Sequence, residues 1–268
     1  MDTKINKKTF GPWALITGAS SGIGKEFARQ LAANNFNVVL NSRRKGALED
    51  IGQELQLKYG ISYKVVSSDL SQPQGVEEVL QSTKDLDIGL VISNAGTGNP
   101  GEFFEKNLDE LLNMINTSVL SHLKITHHFA KIFTQRKRGG IILVSAMGAK
   151  NGLPFMTNDA GTRAYIRSLG LGLHEELKRY KVNVTVLETT PTETPIVSEL
   201  GFSADKMPMK LISTEQCVKE TLIAFNKKKA LILPSWKFRI MNKLTPSSIM
   251  RKMNGKMLAE GNGLDWKK

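Results

Sequence analysis

Two oppositely charged residues in the second half of the sequence are spaced so that they could form an ion pair or take part in catalysis. Asp159 and Arg163 lie four residues apart in the stretch NDAGTRAY, near the start of a long segment with helical periodicity. Side chains four apart face each other on a helix, and such an ion pair stabilises it by about 0.2–0.5 kcal/mol. A carboxylate in a cleft can also act as a base or bind a cationic substrate. The spacing alone leaves both interpretations open.

A glycine-rich stretch near the N-terminus predicts a phosphate-binding loop. TGASSGIG, residues 17–24, follows a short apolar run and precedes a helical pattern. Gly18 permits a tight turn, Gly22 lets the backbone approach a ligand, and Gly24 lets the helix pack close to the strand. Free N–H groups at the start of that helix attract a pyrophosphate. The loop residues predicted to bind a dinucleotide are Gly18, Ser20, Ser21, Gly22, Ile23 and Gly24.

The residues after the second predicted strand indicate which dinucleotide is bound. An enzyme that prefers NAD(H) presents an acidic side chain to the ribose 2′-hydroxyl at this point. Here the sequence reads NSRR, with Ser42, Arg43 and Arg44 and no acid. Guanidinium groups pair with phosphate, so NADP(H) is the predicted cofactor. The other interpretation is that two solvated arginines begin a helix.

Six short apolar runs alternate with helical patterns along the chain, at residues 13–18, 37–42, 63–69, 88–96, 140–146 and 182–188. Strands that alternate with helices form a parallel sheet with helices on both faces. The predicted fold class is therefore α/β, a Rossmann-type doubly wound parallel sheet. Ligands bind at the carboxyl ends of such strands, where the motifs above fall. No linker divides the chain, so we predict one domain over residues 1–234, followed by a basic helical tail over residues 235–268.

The chain resembles the short-chain dehydrogenases/reductases over nearly its whole length. The resemblance rests on TGASSGIG, on Asp69 and Leu70, on SNAG at residues 93–96, and on Asn116 in NMINTSV. It implies that Asp69 and Leu70 contact the adenine and that the SNAG motif lies beneath the cofactor. It also implies a structural and catalytic role for Asn116. The further cofactor-binding residues that it implies are Asn94, Ala95, Gly96, Thr190 and Thr194.

The sequence departs from this family at the catalytic residues. The family has a serine after the fifth strand and a Tyr-x-x-x-Lys pair on the next helix. In the register set by that helix, Ala146 stands at the serine, Asp159 at the tyrosine and Arg163 at the lysine. The family's Pro-Gly beside the nicotinamide is replaced by Thr189 and Thr190.

These replacements remove the usual proton donor for carbonyl reduction. In the family the tyrosine phenol gives a proton to the carbonyl oxygen while the serine hydroxyl bonds that oxygen. An aspartate has an ordinary pKa of about 3.9, and we expect Arg163 to favour the ionised form of Asp159 further. General acid catalysis is worth about 10²–10⁴-fold, and an oxyanion donor about 10²–10³-fold. Ordinary ketone reduction is therefore expected to be very weak.

Three functions fit a cofactor site that is intact but lacks these residues. The first, which the charged replacements favour, is an atypical NADP(H)-dependent oxidoreductase that delivers hydride to a conjugated, iminium or quinone-like substrate. In it Asp159 or Glu188 could serve as a base. The others are a catalytically inactive NADP(H)-binding scaffold or partner protein, and a redox-neutral dehydratase or cyclase. Residues 195–211 lie where the family has a substrate lid, and their Leu, Met and Phe content predicts a small, largely apolar or aromatic substrate.

The formal net charge of +12 is concentrated near the C-terminus. Nine Lys and Arg residues and no acid lie between Leu222 and Met257. Apolar residues alternate with them, which predicts a basic amphipathic tail able to contact an anionic membrane surface, an acidic carrier protein or a partner subunit. A solvated basic face over an ordinary terminal helix is the alternative. Because the charge is so localised, no nucleic-acid partner is expected.

The remaining residue types indicate a cytoplasmic protein without a metal site. Cys217, the only cysteine, lies in a helical pattern and is predicted to be a core residue. No apolar run approaches the roughly 18–20 residues that cross a bilayer, and no apolar signal segment follows the N-terminus. The four histidines lack a metal-binding spacing and are predicted on helix faces. By the resemblance, helices over residues 117–133 and 159–179 would form the interface of a homo-oligomer.

Overall fold

Seven parallel strands form one sheet in the computed structural model, which describes residues 5–200 and 209–266. In chain order the strands are β1 (Trp13–Thr17), β2 (Asn37–Ser42), β3 (Tyr63–Ser67), β4 (Ile88–Ser93), β5 (Gly139–Ala146), β6 (Val182–Thr189) and β7 (Leu231–Ile232). Their order across the sheet is β3-β2-β1-β4-β5-β6-β7, so the winding reverses between β1 and β4. The predicted α/β class is confirmed. The prediction of six strands was wrong by one, because β7 has only two residues and leaves no pattern in the sequence.

Helices connect these strands and extend beyond β7. They are α1 (Lys7–Phe10), α2 (Gly22–Ala33), α3 (Lys45–Tyr59), α4 (Pro73–Thr83), α5 (Leu108–Ile115), α6 (Ser121–Arg136), α7 (Thr157–Lys178), α8 (Pro195–Glu199), α9 (Thr214–Asn226), α10 (Trp236–Leu244) and α11 (Ser247–Gly261). A π-helical turn, Asn116–Leu120, joins α5 to α6. Local sequence sets several boundaries: the Ser213 hydroxyl accepts a hydrogen bond from the Gln216 N–H and caps α9, while Gly60 ends α3 in a left-handed conformation.

Two buried clusters, one on each face of the sheet, hold the layers together. Successive side chains of a strand point to opposite faces, so Ala14 and Ile16 of β1 pack with α2, α3 and α9, whereas Leu15 packs with α4, α6 and α7. Fully burying a large apolar side chain contributes roughly 1.5–3 kcal/mol. Cys217 lies in the first cluster, which confirms it as a core residue. Burial raises the pKa of its thiol to about 12, so it stays protonated.

The basic tail packs onto the domain through part of its surface. α10 buries Phe238 in the first cluster, and α11 buries Met250 and Leu258. Beyond α11, the Trp266 ring lies 6.0 Å from the ring of Phe155, which precedes α7. Within residues 5–200 and 209–266, no helix is both long and apolar enough to cross a bilayer.

The predicted substrate lid, residues 195–211, is described only at its ends. It begins with α8, and Ile212, just past its end, forms an isolated parallel bridge with Thr192. Residues 201–208 lie outside the described residues, so the lid stays a prediction.

Candidate active site

A continuous cleft of about 620 Å³ runs along the carboxyl ends of the strands. Residues at or just after the ends of β1 to β6 contribute to it, at the edge where folds of this topology bind ligands. The predicted site residues that line it are Gly18, Ser20, Ser21, Gly22, Ile23, Ser42, Arg43, Arg44, Asp69, Leu70, Asn94, Ala95, Gly96, Ala146, Asp159, Arg163 and Thr194. Gly24, Asn116 and Thr190, which were also predicted, lie outside this lining.

The glycine loop allows a ligand to approach its backbone closely. Gly18 and Gly22 have φ angles of +66° and +52°, a region that side chains rarely tolerate. A Cβ atom on Gly24 would lie only 2.2 Å from the Gly18 carbonyl oxygen, so Gly24 serves helix packing and not the cleft surface. The loop ends at the N-terminus of α2, whose first N–H groups have no partner within the helix. This is the backbone geometry that binds a phosphate.

Arg44 holds a positive charge against the glycine loop. Its guanidinium donates hydrogen bonds to the Ser20 hydroxyl at 3.0 Å and to the Ser21 hydroxyl at 2.8 Å. Its backbone N–H donates to the Ser42 hydroxyl at 3.1 Å. Arg43 also lines the cleft. Guanidinium and hydroxyl groups in this arrangement can share the oxygens of a phosphate.

Two polar residues that the sequence reasoning missed lie at the same end of the cleft. The Asn41 side-chain amide donates hydrogen bonds to the Ser68 hydroxyl at 2.9 Å and to the Val66 carbonyl at 3.0 Å. The Asp69 carboxylate accepts a hydrogen bond from the Ser71 backbone N–H at 2.9 Å. The two Asn41 bonds tie the ends of β2 and β3 together. Asn41 and Ser68 directly precede predicted site residues, and their position at strand ends is the signal that could have found them.

Thr17 and Asn94 join the glycine loop to the SNAG motif. The Thr17 hydroxyl accepts hydrogen bonds from the backbone N–H groups of Asn94 and Ala95 at 2.9 and 3.0 Å. The Asn94 side-chain amide donates to the Thr17 carbonyl at 3.1 Å. The middle of the cleft is therefore held by a network between β1 and β4, at the reversal of the winding.

Asp159 and Arg163 form the charged pair at the other end of the cleft. The Arg163 Nε atom lies 3.5 Å from the Asp159 carboxylate, and each side chain is only 12% exposed. Arg163 also donates to the Val144 carbonyl at 3.3 Å. Its guanidinium lies against Gly96, where an added Cβ atom would meet it at 2.3 Å. The ion pair predicted from the spacing is thus present, but it is largely buried and borders the cleft.

Burial corrects the expectation about the ionisation of Asp159. Desolvation raises the pKa of its carboxyl above the ordinary value, and the charge and hydrogen bond of Arg163 oppose that shift without cancelling it. The expectation that Arg163 would decide the ionisation was wrong, because the sequence did not show how far the carboxyl is removed from water. The carboxyl therefore retains its proton to a higher pH than an exposed aspartate.

Ser145, the residue next to Ala146, directs its hydroxyl to a backbone carbonyl. Ser145 is 1% exposed, and its hydroxyl donates to the Arg163 backbone carbonyl at 2.8 Å. The Thr189 hydroxyl donates to the Ser145 carbonyl at 3.1 Å. Ala146 lines the cleft and has no polar side-chain atom to offer.

Asn116 and Thr190 are placed away from the cleft surface. Asn116 begins the π-helical turn and borders a separate small cavity together with Leu70, whereas its neighbour Thr117 lines the main cleft. Thr190 is 4% exposed, and within the described part of the chain its hydroxyl has no hydrogen-bond partner. In its place, Thr189 lines the cleft.

Glu188 is withdrawn into an ion pair beneath the site. It is 3% exposed and lies 2.5 Å from the Arg167 Nε atom. Desolvation raises the pKa of this carboxyl, and the hydrogen bond and charge of Arg167 oppose the shift. Glu188 does not line the cleft, so the geometry favours Asp159 as the carboxyl that can contact a ligand.

His122 lies on a helix, as predicted, and its burial is what the sequence did not show. It is fully buried in α6, and its Nε2 atom lies 2.7 Å from the Ala95 carbonyl oxygen. Desolvation lowers the pKa of the imidazole to about 4, the hydrogen bond to Ala95 opposes this, and the charge of Arg163 adds to it. The neutral ring therefore donates from Nε2 and supports the SNAG motif from below.

Comparison with known proteins identifies the family. A family model described as short chain dehydrogenase matches residues 12–203. The chain belongs to the short-chain dehydrogenase family. Among members of this family, a 7beta-hydroxysteroid dehydrogenase of Mediterraneibacter gnavus is 31% identical over 229 residues, which cover 84% of this chain and 87% of that protein. A very-long-chain 3-oxoacyl-CoA reductase of Pyricularia oryzae is 37% identical over 187 residues, which cover 68% of this chain and 56% of that protein.

Solved structures share the short-chain dehydrogenase fold. A structure from a study of 7beta-hydroxysteroid dehydrogenase stereoselectivity superposes with a TM-score of 0.86 at 28% identity, covering 93% of this chain and 98% of that one. A short-chain dehydrogenase from Sphingobium yanoikuyae in complex with NADPH superposes with a TM-score of 0.79 at 23% identity, covering 96% and 98%. At 23% identity, the likeness to the Sphingobium yanoikuyae structure shows the fold alone. The present chain spans little more than half the length of the fungal acyl-CoA reductase.

Proposed function

We propose that this chain is an atypical NADP(H)-dependent oxidoreductase that delivers hydride to an activated substrate and not to an ordinary ketone. The observation that carries the proposal is the difference between the two ends of one cleft. One end holds the glycine loop and Arg44, whereas the other holds Ala146, Asp159 and Arg163 in place of the family's serine, tyrosine and lysine. The first end suits a phosphorylated dinucleotide. The second lacks the usual proton donor.

The nucleotide end fits NADP(H) on the chemistry of its residues. The backbone at Gly18 and Gly22 and the start of α2 would hold the pyrophosphate, and Arg43 and Arg44 with Ser20 would hold the ribose 2′-phosphate. No acid follows β2 to repel that phosphate. When bound, NADPH supplies the hydride. Family relatives with solved nicotinamide complexes support the cofactor class, and the two arginines support the phosphorylated form.

Arg163 determines which substrates this chain can assist. Its guanidinium is held by Asp159, by the Val144 carbonyl and against Gly96, so it presents a fixed positive charge to the cleft. A fixed donor of this kind stabilises negative charge that develops on a substrate oxygen. Conjugated enones and quinone-like acceptors spread that charge as an enolate or phenolate and need less proton donation than a simple ketone. Such acceptors match the residues that remain.

Asp159 supplies a carboxyl whose pKa is raised above the ordinary aspartate value by burial, against the opposing charge of Arg163. Its raised pKa lets the carboxyl hold a proton that it can release to a substrate or to a water in the cleft. As the pH rises through that pKa, the carboxyl becomes an acceptor only. If the protonated carboxyl acts as a general acid, turnover falls as the pH rises. If the ionised carboxylate acts as a general base, turnover increases as the pH rises.

The wall at this end of the cleft supports an apolar substrate. Met156, Ile196 and Leu200 line it and would exclude water from the ligand. The two relatives described above are named for a hydroxysteroid and for a very-long-chain 3-oxoacyl-CoA, both of which have large apolar parts. We therefore propose a largely apolar substrate, with the polar acceptor group directed to Arg163.

The test compares paired substrates that differ only in conjugation. NADPH consumption is measured with a cyclic enone, with the matching saturated ketone and with a benzoquinone, and the product is identified by mass spectrometry. The proposal predicts turnover of the enone or the quinone and very little turnover of the ketone. Asp159→Asn is the matched variant, because it keeps the size of the side chain and removes its titration. Binding of NADPH without turnover of any activated acceptor would instead support the inactive scaffold.

A further inference from the structure

The outward side of α10 carries an apolar stripe between two lysines, which the proposed reaction does not use. Trp236, Ile240 and Leu244 recur every four residues and so lie along one side of the helix. Their exposed fractions are 61%, 48% and 73%. Lys237 and Lys243 are also exposed and fall on opposite edges of that stripe at helical spacing. We call these five residues the α10 face.

The opposite side of α10 is anchored, which fixes the direction of the α10 face. Phe238 is 3% exposed and packs in the cluster that contains α2, α3 and α9. Arg239 donates to the Leu233 carbonyl at 2.9 Å and forms an ion pair with Glu220 at 3.1 Å. The charge of Arg239 is therefore balanced by an acid of α9 and adds little to the outward charge. Within residues 5–200 and 209–266, Lys237 and Lys243 form no salt bridge.

The sequence on both sides of α10 is basic over a long stretch. Lys227, Lys228 and Lys229 precede β7, Lys252 lies in α11, and all four are exposed. No acid occurs in the sequence between Leu222 and Met257. A positively charged stretch of this length attracts any extended negative surface, with a range set by the Debye length of about 8 Å at physiological salt.

We propose that the α10 face binds an anionic lipid surface. Apolar side chains flanked by lysines, with a tryptophan at the start of the helix, form the arrangement of a helix that lies in the plane of a membrane interface. Trp236, Ile240 and Leu244 enter the boundary between headgroups and acyl chains. Lys237 and Lys243 extend along its edges to the anionic headgroups, because long basic side chains can bury their stems and keep their charge in water.

The tail that carries this face also contacts the substrate end of the cleft. The Arg251 guanidinium of α11 donates to the Asn151 carbonyl at 2.9 Å, and the Asn262 amide donates to the Leu200 carbonyl at 3.2 Å. Leu200 lines the cleft. Docking through α10 would therefore hold the substrate end close to a phase in which apolar substrates dissolve. The docking itself does not depend on the proposed reaction.

Sedimentation of the full chain with vesicles tests the proposal. The vesicles contain either phosphatidylcholine alone or phosphatidylcholine with about one third phosphatidylserine. Each basic residue near such an anionic surface increases the partition coefficient about fivefold. We expect binding to the anionic vesicles that weakens as salt is raised, and little binding to the neutral ones. Trp236 emission should shift to shorter wavelength on binding, and Trp236→Phe should remove that shift.

A pair of matched double variants locates the surface. Lys243→Glu with Leu244→Ser should lower partitioning at least about tenfold, since one basic contact is reversed and one apolar contact is lost. Leu57→Ser with Lys58→Glu makes the same changes on α3, where Leu57 is 88% exposed, and should leave partitioning unchanged. Unaltered far-ultraviolet circular dichroism and NADPH binding show that each variant is folded.

Several outcomes would overturn the proposal. Equal binding to neutral and anionic vesicles would show that the lysines do not contribute to binding. Equal losses of partitioning in the two double variants would show that the α10 face is not the binding surface. Tighter binding to polyglutamate or to duplex DNA than to anionic vesicles would assign the basic surface to an acidic protein or to nucleic acid. A Trp236 emission that does not change on vesicle binding would place the contact elsewhere on the molecule.

Discussion

Restoring the family's catalytic residues should turn this chain into a ketone reductase. The change is the triple substitution Ala146→Ser, Asp159→Tyr and Arg163→Lys. Asp159 borders a cleft of about 620 Å³, so a phenol at this position has room to extend toward the substrate. The Arg163 guanidinium lies against Gly96, and a lysine ammonium needs less space at this position.

The expected gain follows from the two groups that the substitutions restore. General acid catalysis contributes at least about 10²-fold and an oxyanion donor at least about 10²-fold, so the triple variant should reduce ketones roughly 10⁴-fold faster than the unmodified protein. Each single substitution should gain much less, because the three groups act as a unit. Asp159→Tyr alone leaves the phenol beside a guanidinium and opposite Ala146, which offers the substrate oxygen no hydrogen bond.

The assay is kcat/KM for a saturated cyclic ketone, measured from the consumption of NADPH by the unmodified protein, the three single variants and the triple variant. NADPH affinity, measured in parallel, separates a change in chemistry from a change in binding. Efficient ketone reduction by the unmodified protein that survives both Asp159→Asn and Asp159→Ala would show that Asp159 does not occupy the position of the catalytic tyrosine.

Three further predictions concern the cofactor, the buried histidine and assembly. Arg44→Ala should weaken NADPH binding by roughly 10–100-fold, the effect of losing a hydrogen bond to a charged group, and leave NADH binding unchanged in fluorescence titrations. The folded-state pKa of His122, about 4, lies below its ordinary 6.5, so the stability that its neutral form provides is lost as the pH falls through that interval. The free energy of unfolding, measured with urea, should fall by about 3 kcal/mol more for the unmodified protein than for His122→Gln when the pH is lowered through that interval. Light scattering should report a homo-oligomer, since Leu120 and Tyr165 are 41% and 40% exposed on the helical segments that the family resemblance places at a subunit interface. A monomer at micromolar concentration would contradict this prediction.

The fold and the glycine-loop end of the cleft could be predicted because their signals are local. A buried parallel strand is a continuous apolar run, and the glycine loop must fall where such a run meets a helix, so both appear in the order of the residues. Gly24 was correctly linked to close packing of helix and strand, as its contact with the Gly18 carbonyl shows. β7 escaped prediction because two residues cannot form a pattern.

The substrate end could be predicted only in part because its properties arise from contacts distant in sequence. The spacing of Asp159 and Arg163 predicts their ion pair, but the rise in the pKa of Asp159 comes from burial by the surrounding fold. His122 lies 27 residues from Ala95, and nothing in the helix pattern shows that its imidazole supports the SNAG motif. Asn116 begins a π-helical turn and lies outside the cleft, and no local pattern in the sequence marks that turn.

Isotope transfer from NADPH shows directly whether this chain delivers hydride to an activated substrate. The protein is incubated with NADPH that carries deuterium on one face of the nicotinamide ring, together with a conjugated enone or a benzoquinone, and the product is analysed by mass spectrometry. We expect deuterium from one face of the ring to reach the product at carbon for the enone, and NADP⁺ to form in equal amount. NADPH that binds tightly but transfers no deuterium to any activated acceptor would contradict it and leave a binding protein in place of an enzyme.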